Sequence, residues 1–311
     1  MGESLQVVTT CTDRKKLPVE EMLRARSLPK SLISHLAFTW RERIRSCSDK
    51  RLSAEIYAGR SFREAQIAAS AAGTELRIIS AGLGLLSASD EIPAYSLTLV
   101  RGAPDCIVGR VDGRFDTATW WSLIQRSHIN PLAALIRQNQ HITLAIGLTR
   151  TYADLVVADL MQLDSAERLR LRIVGLSIAD ALPSAFQPCV LPYDDRLDGP
   201  QSPFRGTRSD FASRALRHFT TNVWPTTRGG GLDLHKERVT ALLQGWESAP
   251  RFSRQLRSDR EIIDVIVESM NETGGQVGRA LRYLRDVKGI ACEQGRFKDL
   301  FKQALVEVET Q

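Results

Sequence analysis

The stretch Leu5-Gln6-Val7-Val8-Thr9-Thr10-Cys11-Thr12-Asp13-Arg14-Lys15-Lys16 decides the fold. Its first six residues suit a short strand buried on both faces, and its last six form a polar loop. Downstream, Pro18 opens a helical stretch, Pro29 breaks it, and a second helix is predicted over Ser31–Arg45. Ser61–Ala72 reads as a helix with Ser61 as N-cap, Glu64 three residues on, and Gly73 as the stop. Leu76–Ser80 is another apolar strand. The alternation continues with a helix over Trp120–Gln138, a strand over His141–Ile146, a helix over Thr151–Leu160 and a strand over Leu171–Val174. Strands alternating with helices predict an α/β fold, a mostly parallel sheet flanked by helices. Ligands of such sheets gather beyond the carboxyl ends of the strands. The loops Thr10–Lys16, Ser80–Tyr95, Gly147–Tyr152 and Gly175–Asp180 are therefore expected on one edge.

The texture changes after Pro188. Leu191–Thr207 is rich in Pro, Gly and Asp and reads as a long loop, either functional or a linker. Asp210–Thr220 is helical, and Arg228-Gly229-Gly230-Gly231 is a break. The last sixty residues read as helices over Ser258–Met270 and Gln276–Val287 joined by Thr273-Gly274-Gly275, then a final helix following Cys292–Phe301. Arg279, Arg282 and Arg285 are spaced to share one face. Helix, Gly-bearing turn and basic helix outline a helix-turn-helix, although a solvated or partner-binding face has the same pattern. Three parts are expected: an α/β domain over 1–190, a loop-rich basic extension over 191–250 packed on it, and a small C-terminal helical unit over 251–311.

The 311 residues are 43% hydrophobic and 25% charged, ordinary globular usage that can bury a core without disulfides. No apolar run approaches the roughly 18 residues of a membrane span. The first residues lack the basic start and apolar stretch of a signal peptide, and Gln6 spoils a myristoylation pattern. The five cysteines are scattered and never paired as C-x-x-C, which argues against a metal site or disulfide framework and suits a reduced cytoplasm. The net charge is +6, carried by 34 Arg and only 8 Lys. Arginine suits phosphate and base recognition, and a GC-rich genome gives the same bias. Residues 1–60 hold 12 basic and 7 acidic side chains, and residues 196–260 hold 12 and 6. Two segments could thus meet a phosphate backbone.

Three pieces of the first third of the chain resemble the YaaA-type family. They are the Thr9–Lys16 loop with its strand, Ala54-Glu55-Ile56-Tyr57-Ala58-Gly59-Arg60-Ser61-Phe62, and Ile78-Ile79-Ser80-Ala81-Gly82-Leu83-Gly84-Leu85-Leu86 followed by Asp90-Glu91-Ile92-Pro93-Ala94-Tyr95. Ala94 separates the family's Pro-Tyr pair, and the loop lacks the basic or aromatic residue often set among its small residues. The resemblance implies a fold related to the uracil-DNA-glycosylase superfamily, association with DNA bearing modified bases, and a role in anti-phage defence. DNA glycosylase is the leading expectation; a non-enzymatic DNA-binding stress or regulatory protein and a base-modifying enzyme acting on tRNA are the alternatives.

Breaking an N-glycosidic bond builds positive charge on the sugar and negative charge on the base. A carboxylate near the sugar and donors near the base stabilise them. Asp13, after the first strand, is the first candidate acid, and Asp90 the second; a helix cap or ion pair and a simple turn are their ordinary readings. Asp194 or Asp195 on the late loop could serve instead. Tyr57 and Tyr95 are candidates to stack on a flipped base, or to pack in the core. Gly82 and Gly84 permit close approach of a phosphate or base, or a tight turn. Thr10, Thr12 and Ser80 are candidate donors, or strand ends. Arg14, Lys15, Lys16, Arg60, Arg150, Arg205, Arg208, Arg279, Arg282 and Arg285 are the candidate nucleic-acid contacts. No phosphate loop, H-E-x-x-H, dinucleotide fingerprint or G-x-S-x-G elbow occurs, so no metal or organic cofactor is expected.

Overall fold

The computed structural model describes residues 3–125, 130–248 and 254–309. The chain forms two compact units, 1–249 and 250–311. In the first, β1 (Ser4–Thr10) is followed by α1 (Ile33–Ser46), α2 (Arg60–Ala72), β2 (Arg77–Ser80) and β3 (Gly84–Ser87). Then come α3 (Thr117–Leu123), α4 (Pro131–Gln138), β4 (Ile142–Gly147), α5 (Arg150–Leu160), β5 (Leu171–Val174), α6 (Phe211–His218) and α7 (Leu232–Leu243). The sheet order is β3-β2-β1-β4-β5. β1 runs parallel to β2 and β4, β4 parallel to β5, and only β3 is antiparallel to its neighbour. Helices cover both faces because the central strands are apolar on both. Val7, Val8, Ile78, Ile79, Ala145 and Ile146 are all fully buried. Among the described residues, no helix is long and apolar enough to cross a membrane.

The mostly parallel sheet with its helices agrees with the sequence reading, but several elements differ. The helix expected after Pro18 is two single turns, Glu21–Leu23 and Ala25–Ser27. Their backbone is claimed elsewhere: Ala25 N donates to Ser96 O, Ser96 N to Leu23 O, and Arg26 N to the buried Asp105 carboxylate. The helix expected over Trp120–Gln138 is two, α3 capped by the Asp116 side chain and α4 opening at Pro131, with residues 126–129 lying outside the described chain. Proline suits a first turn and breaks an interior. Ser61 does not cap α2; Gly59 stands there at φ 98°, and the Ser61 hydroxyl meets Ser213 at 2.9 Å. The Ser80–Tyr95 stretch is not one loop. Gly84 (φ 74°) turns it into the strand β3, which carries the chain back to the opposite edge. The helix α7 has no counterpart in the sequence reading.

Residues 191–210 are ordered by buried charge. Arg214 on α6 is fully buried, and its guanidinium pairs with Asp210 at 2.6 Å and Asp198 at 2.7 Å. It also donates to Phe204 O and Thr207 O, at 2.6 and 2.8 Å. Leu191, Tyr193, Leu197 and Phe204 consequently join the same core as the sheet. Two histidines sit in that region. His218 Nδ1 meets the Tyr193 hydroxyl at 2.8 Å, and His235 Nδ1 accepts from Arg172 Nε at 2.6 Å. Burial lowers the pKa of each to about 4.

The second unit holds α8 (Asp259–Glu268), α9 (Val277–Asp286) and α10 (Gln294–Glu309) around a small core of Ile262, Ile266, Leu284, Phe297 and Ala304. Residues 255–256 and 290–291 pair as a minimal parallel ladder.

Two outcomes follow from these buried charges. Arg214→Met takes the close cation from Asp198 and leaves Asp210 with the longer Arg60 pair at 3.7 Å, and is expected to cost about 3–5 kcal/mol, read as a lower urea midpoint. The histidines bind protons less readily when folded than when unfolded. Stability should therefore be full above pH 6.5 and fall as the pH drops through the window down to about 4. The loss should reach on the order of 3 kcal/mol per histidine, measured by denaturation at a series of pH values; a flat profile between pH 6.5 and 4 would contradict it.

Candidate functional site

The carboxyl ends of β1, β2 and β4 lie side by side. Parallel pairing runs one residue past β1, where Cys11 N donates to Ile79 O at 2.8 Å. The loop that follows is stitched to residues 56–58. Thr12 Oγ1 donates to Ala58 O at 2.9 Å, Lys16 N to Ile56 O at 2.9 Å, and Ala58 N to Arg14 O at 3.0 Å. Inside this seam is a chain of three fully buried hydroxyls. Tyr57 Oη lies 2.7 Å from Tyr95 Oη, which lies 2.6 Å from Ser80 Oγ. Ser80 Oγ in turn accepts Leu83 N at 2.9 Å and Gly82 N at 3.2 Å, which shapes the turn between β2 and β3. Burial pushes both phenols well above their ordinary pKa, so the chain is neutral.

Lys15 closes this cluster. Its ammonium donates to Thr12 O at 2.6 Å and Asp13 O at 3.1 Å, and lies 5.1 and 5.0 Å from the ring centroids of Tyr57 and Tyr95. Burial lowers its pKa, opposed by the nearby Cys11 and Asp13. The ring faces are favourable neighbours for the cation. On the far side, Cys11 Sγ meets the hydroxyl of Tyr152 on α5 at 2.9 Å. Neither this pair nor the inward direction of Lys15 was expected from sequence; each depends on the fold closing.

The carboxylates separate clearly. Asp13 is exposed, and its carboxylate makes no hydrogen bond among the described residues. Asp90 accepts Ser87 N at 2.8 Å, capping the turn after β3. Ser87 pairs with Arg77 at the amino end of β2, so Asp90 lies at the edge opposite Ser80, about 10 Å of strand away. It shares no site with Asp13. Asp194 accepts Arg196 N at 3.0 Å and pairs with Arg196 Nε at 2.9 Å, a local turn rather than a ligand group.

Other candidates are also redistributed. Tyr57, Tyr95 and Ser80 are sealed from solvent and offer no stacking face. Gly82 and Gly84 do permit close approach, but of the protein's own groups. A Cβ on Gly82 would stand 2.9 Å from the Tyr95 ring, and one on Gly84 2.4 Å from the Gln125 amide oxygen. Thr10 is half-buried at the strand end. Arg60 is drawn to Glu64 and Asp210, at 3.6 and 3.7 Å, and donates to Arg205 O. That contact places the exposed Arg205 and Arg208 beside the start of α2, the same end as the Asp13 loop. Arg14, Lys16 and Arg150 are exposed on this edge as well. In the second unit Arg279 and Arg282 are exposed on α9, whereas Arg285 donates to Cys292 O at 2.7 Å. An open groove of about 820 Å³ lined by Arg101, Arg110 and Arg114 was not foreseen, because its cations come from separate turns.

What fold and edge define is an α/β protein with an exposed acid on a cationic rim, braced by a buried tyrosine–serine–lysine cluster. Comparison with protein-family models, with curated proteins and with solved structures finds no match.

The brace can be tested directly. Tyr95→Phe removes the middle hydroxyl and strands Ser80 and Tyr57 in a dry site. Destabilisation of about 1–3 kcal/mol is expected, with faster amide exchange at Gly82 and Leu83. Unchanged exchange at those two amides would show that the turn does not depend on the chain of hydroxyls.

Proposed function

We propose that the protein is a DNA N-glycosylase working at the carboxyl edge of its sheet, with Asp13 as the acting carboxylate. The observation that carries this is the contrast among the acids: Asp90 and Asp194 are engaged in turns, while Asp13 is exposed and its carboxylate makes no hydrogen bond among the described residues. A carboxylate held in water-accessible space can stabilise the oxocarbenium-like sugar and orient a water for attack at C1′. Arg14, Lys16, Arg150, Arg205 and Arg208 supply the phosphate contacts that hold a strand against it. Lys15 serves as a positioning residue, tying the Asp13 backbone to the tyrosine rings. The relation to the uracil-DNA-glycosylase superfamily and a role against phage DNA with modified bases rest on the sequence resemblance and belong to this proposal.

A second reading has its own support. Tyr57, Tyr95 and Ser80 are buried, so they do not form the walls of an open base pocket. That arrangement suits a non-enzymatic DNA binder that uses the cationic rim alone.

Incubation with duplexes carrying different modified bases, followed by alkaline cleavage, separates the two. The glycosylase reading expects strand breaks at one class of modified base. Asp13→Asn should lower the rate by about 10²-fold or more and leave the melting temperature nearly unchanged, because the side chain is exposed. Absence of abasic sites in every duplex, together with DNA binding that survives Asp13→Asn and is lost on replacing Arg14, Lys16 and Arg150, would select the binder.

A further inference from the structure

Behind the turn between β2 and β3 lies a cavity of about 240 Å³ that the proposed reaction does not use. One wall is cationic. Arg41 and Arg45 stand one turn apart on α1 and share a face, and Lys50 follows from the next loop. Two of these cations are lightly engaged. Arg41 Nη1 donates to Leu123 O at 3.3 Å and Lys50 Nζ donates to Arg45 O at 3.3 Å, while Arg45 pairs with the Glu42 carboxylate; among the described residues neither Arg41 nor Lys50 pairs with a carboxylate. The other walls include Leu83 and Ile92, with Glu91 at the side.

The site is open to solvent on the side of the exposed Arg41, Arg45 and Glu91, so an occupant can extend beyond its 240 Å³ there. A lone phosphate leaves the apolar walls uncovered. A ring with one anionic group attached satisfies both surfaces: aliphatic side chains cover the ring, cations meet the anion, and a carboxylate accepts ring N–H groups. We infer that this cavity binds a nucleoside monophosphate, with its phosphate toward Arg41, Arg45 and Lys50 and its base edge toward Glu91.

The site is separate from the Asp13 surface but adjoins its brace. Gly82 lines the cavity, and its carbonyl accepts Trp40 Nε1 at 2.7 Å. The other side of Gly82 packs on Tyr95, so closely that a Cβ there would stand 2.9 Å from the ring. An occupant thus rests one residue from the Tyr57–Tyr95–Ser80 chain. The inference stands whether or not the Asp13 edge cleaves a glycosidic bond.

Calorimetric titration of the full chain with AMP, GMP, CMP and UMP, with guanosine and with inorganic phosphate tests it. At least one monophosphate should bind roughly tenfold or more tighter than guanosine and than phosphate, since the charged contacts and the apolar walls act together. Arg41→Ala with Arg45→Ala should weaken that binding about tenfold or more. Leu83→Trp, which fills the cavity from its apolar side, should do the same, and melting curves confirm that each variant is folded. Equal binding of phosphate and nucleotides, no binding by any monophosphate, or affinity unaltered in both folded variants would overturn the assignment.

Discussion

A hydroxyl removed from water must find a partner inside the protein or cost the fold about as much as a broken hydrogen bond. Tyr57, Tyr95 and Ser80 solve this for one another, and their solution dictates much of what surrounds them. Ser80 can accept Gly82 and Leu83 only if the chain turns at once after β2. That turn has room for Tyr95 only because Gly82 has no side chain. The two rings then present faces to Lys15, whose ammonium gathers the backbone of Thr12 and Asp13. The exposed acid is held on a surface loop by a chain of contacts that begins in the dry interior.

Charge is handled in two opposite ways within the fold. Arg214 is buried and satisfied by two carboxylates and two carbonyls, which converts a Pro- and Gly-rich loop into part of the core. A buried ion with complete partners resists displacement, whereas an exposed one is held loosely and meets ligands readily. Arg14, Lys16, Arg150, Arg205 and Arg208 belong to the second class. Division of arginines into clamps and contacts was invisible in composition, where all 34 look alike. Arg60 illustrates the point: it reads as a phosphate ligand, yet Glu64 and Asp210 claim it.

Much of the sheet was legible because its signals are local. The apolar centre of β1, the run Ile78-Ile79 and the residues Leu171–Val174 are buried on both faces, and each announces itself within a few positions. Gly73 stops α2 in the left-handed conformation as expected of its residue type. The misread elements are those where a distant group overrode the local pattern. Ser96 and Asp105 take the backbone that would have made a helix after Pro18. Gln125 fills the space at Gly84, where the chain reverses and carries Asp90 away from Ser80.

The amino-acid sequence determined by itself that strands and helices alternate, that the loop after β1 is polar, and that this loop lies at the carboxyl edge of a parallel sheet. These follow from residue type and spacing within a dozen positions. Only the tertiary structure decided which side chains face outward there. Tyr57 and Tyr95 are 38 residues apart, and Cys11 and Tyr152 are 141 apart. Whether a tyrosine stacks on a ligand or seals a core depends on partners that distant in the chain. Burial is a property of the closed fold, so Lys15 points inward and Asp13 outward for reasons that their own neighbours in sequence do not contain.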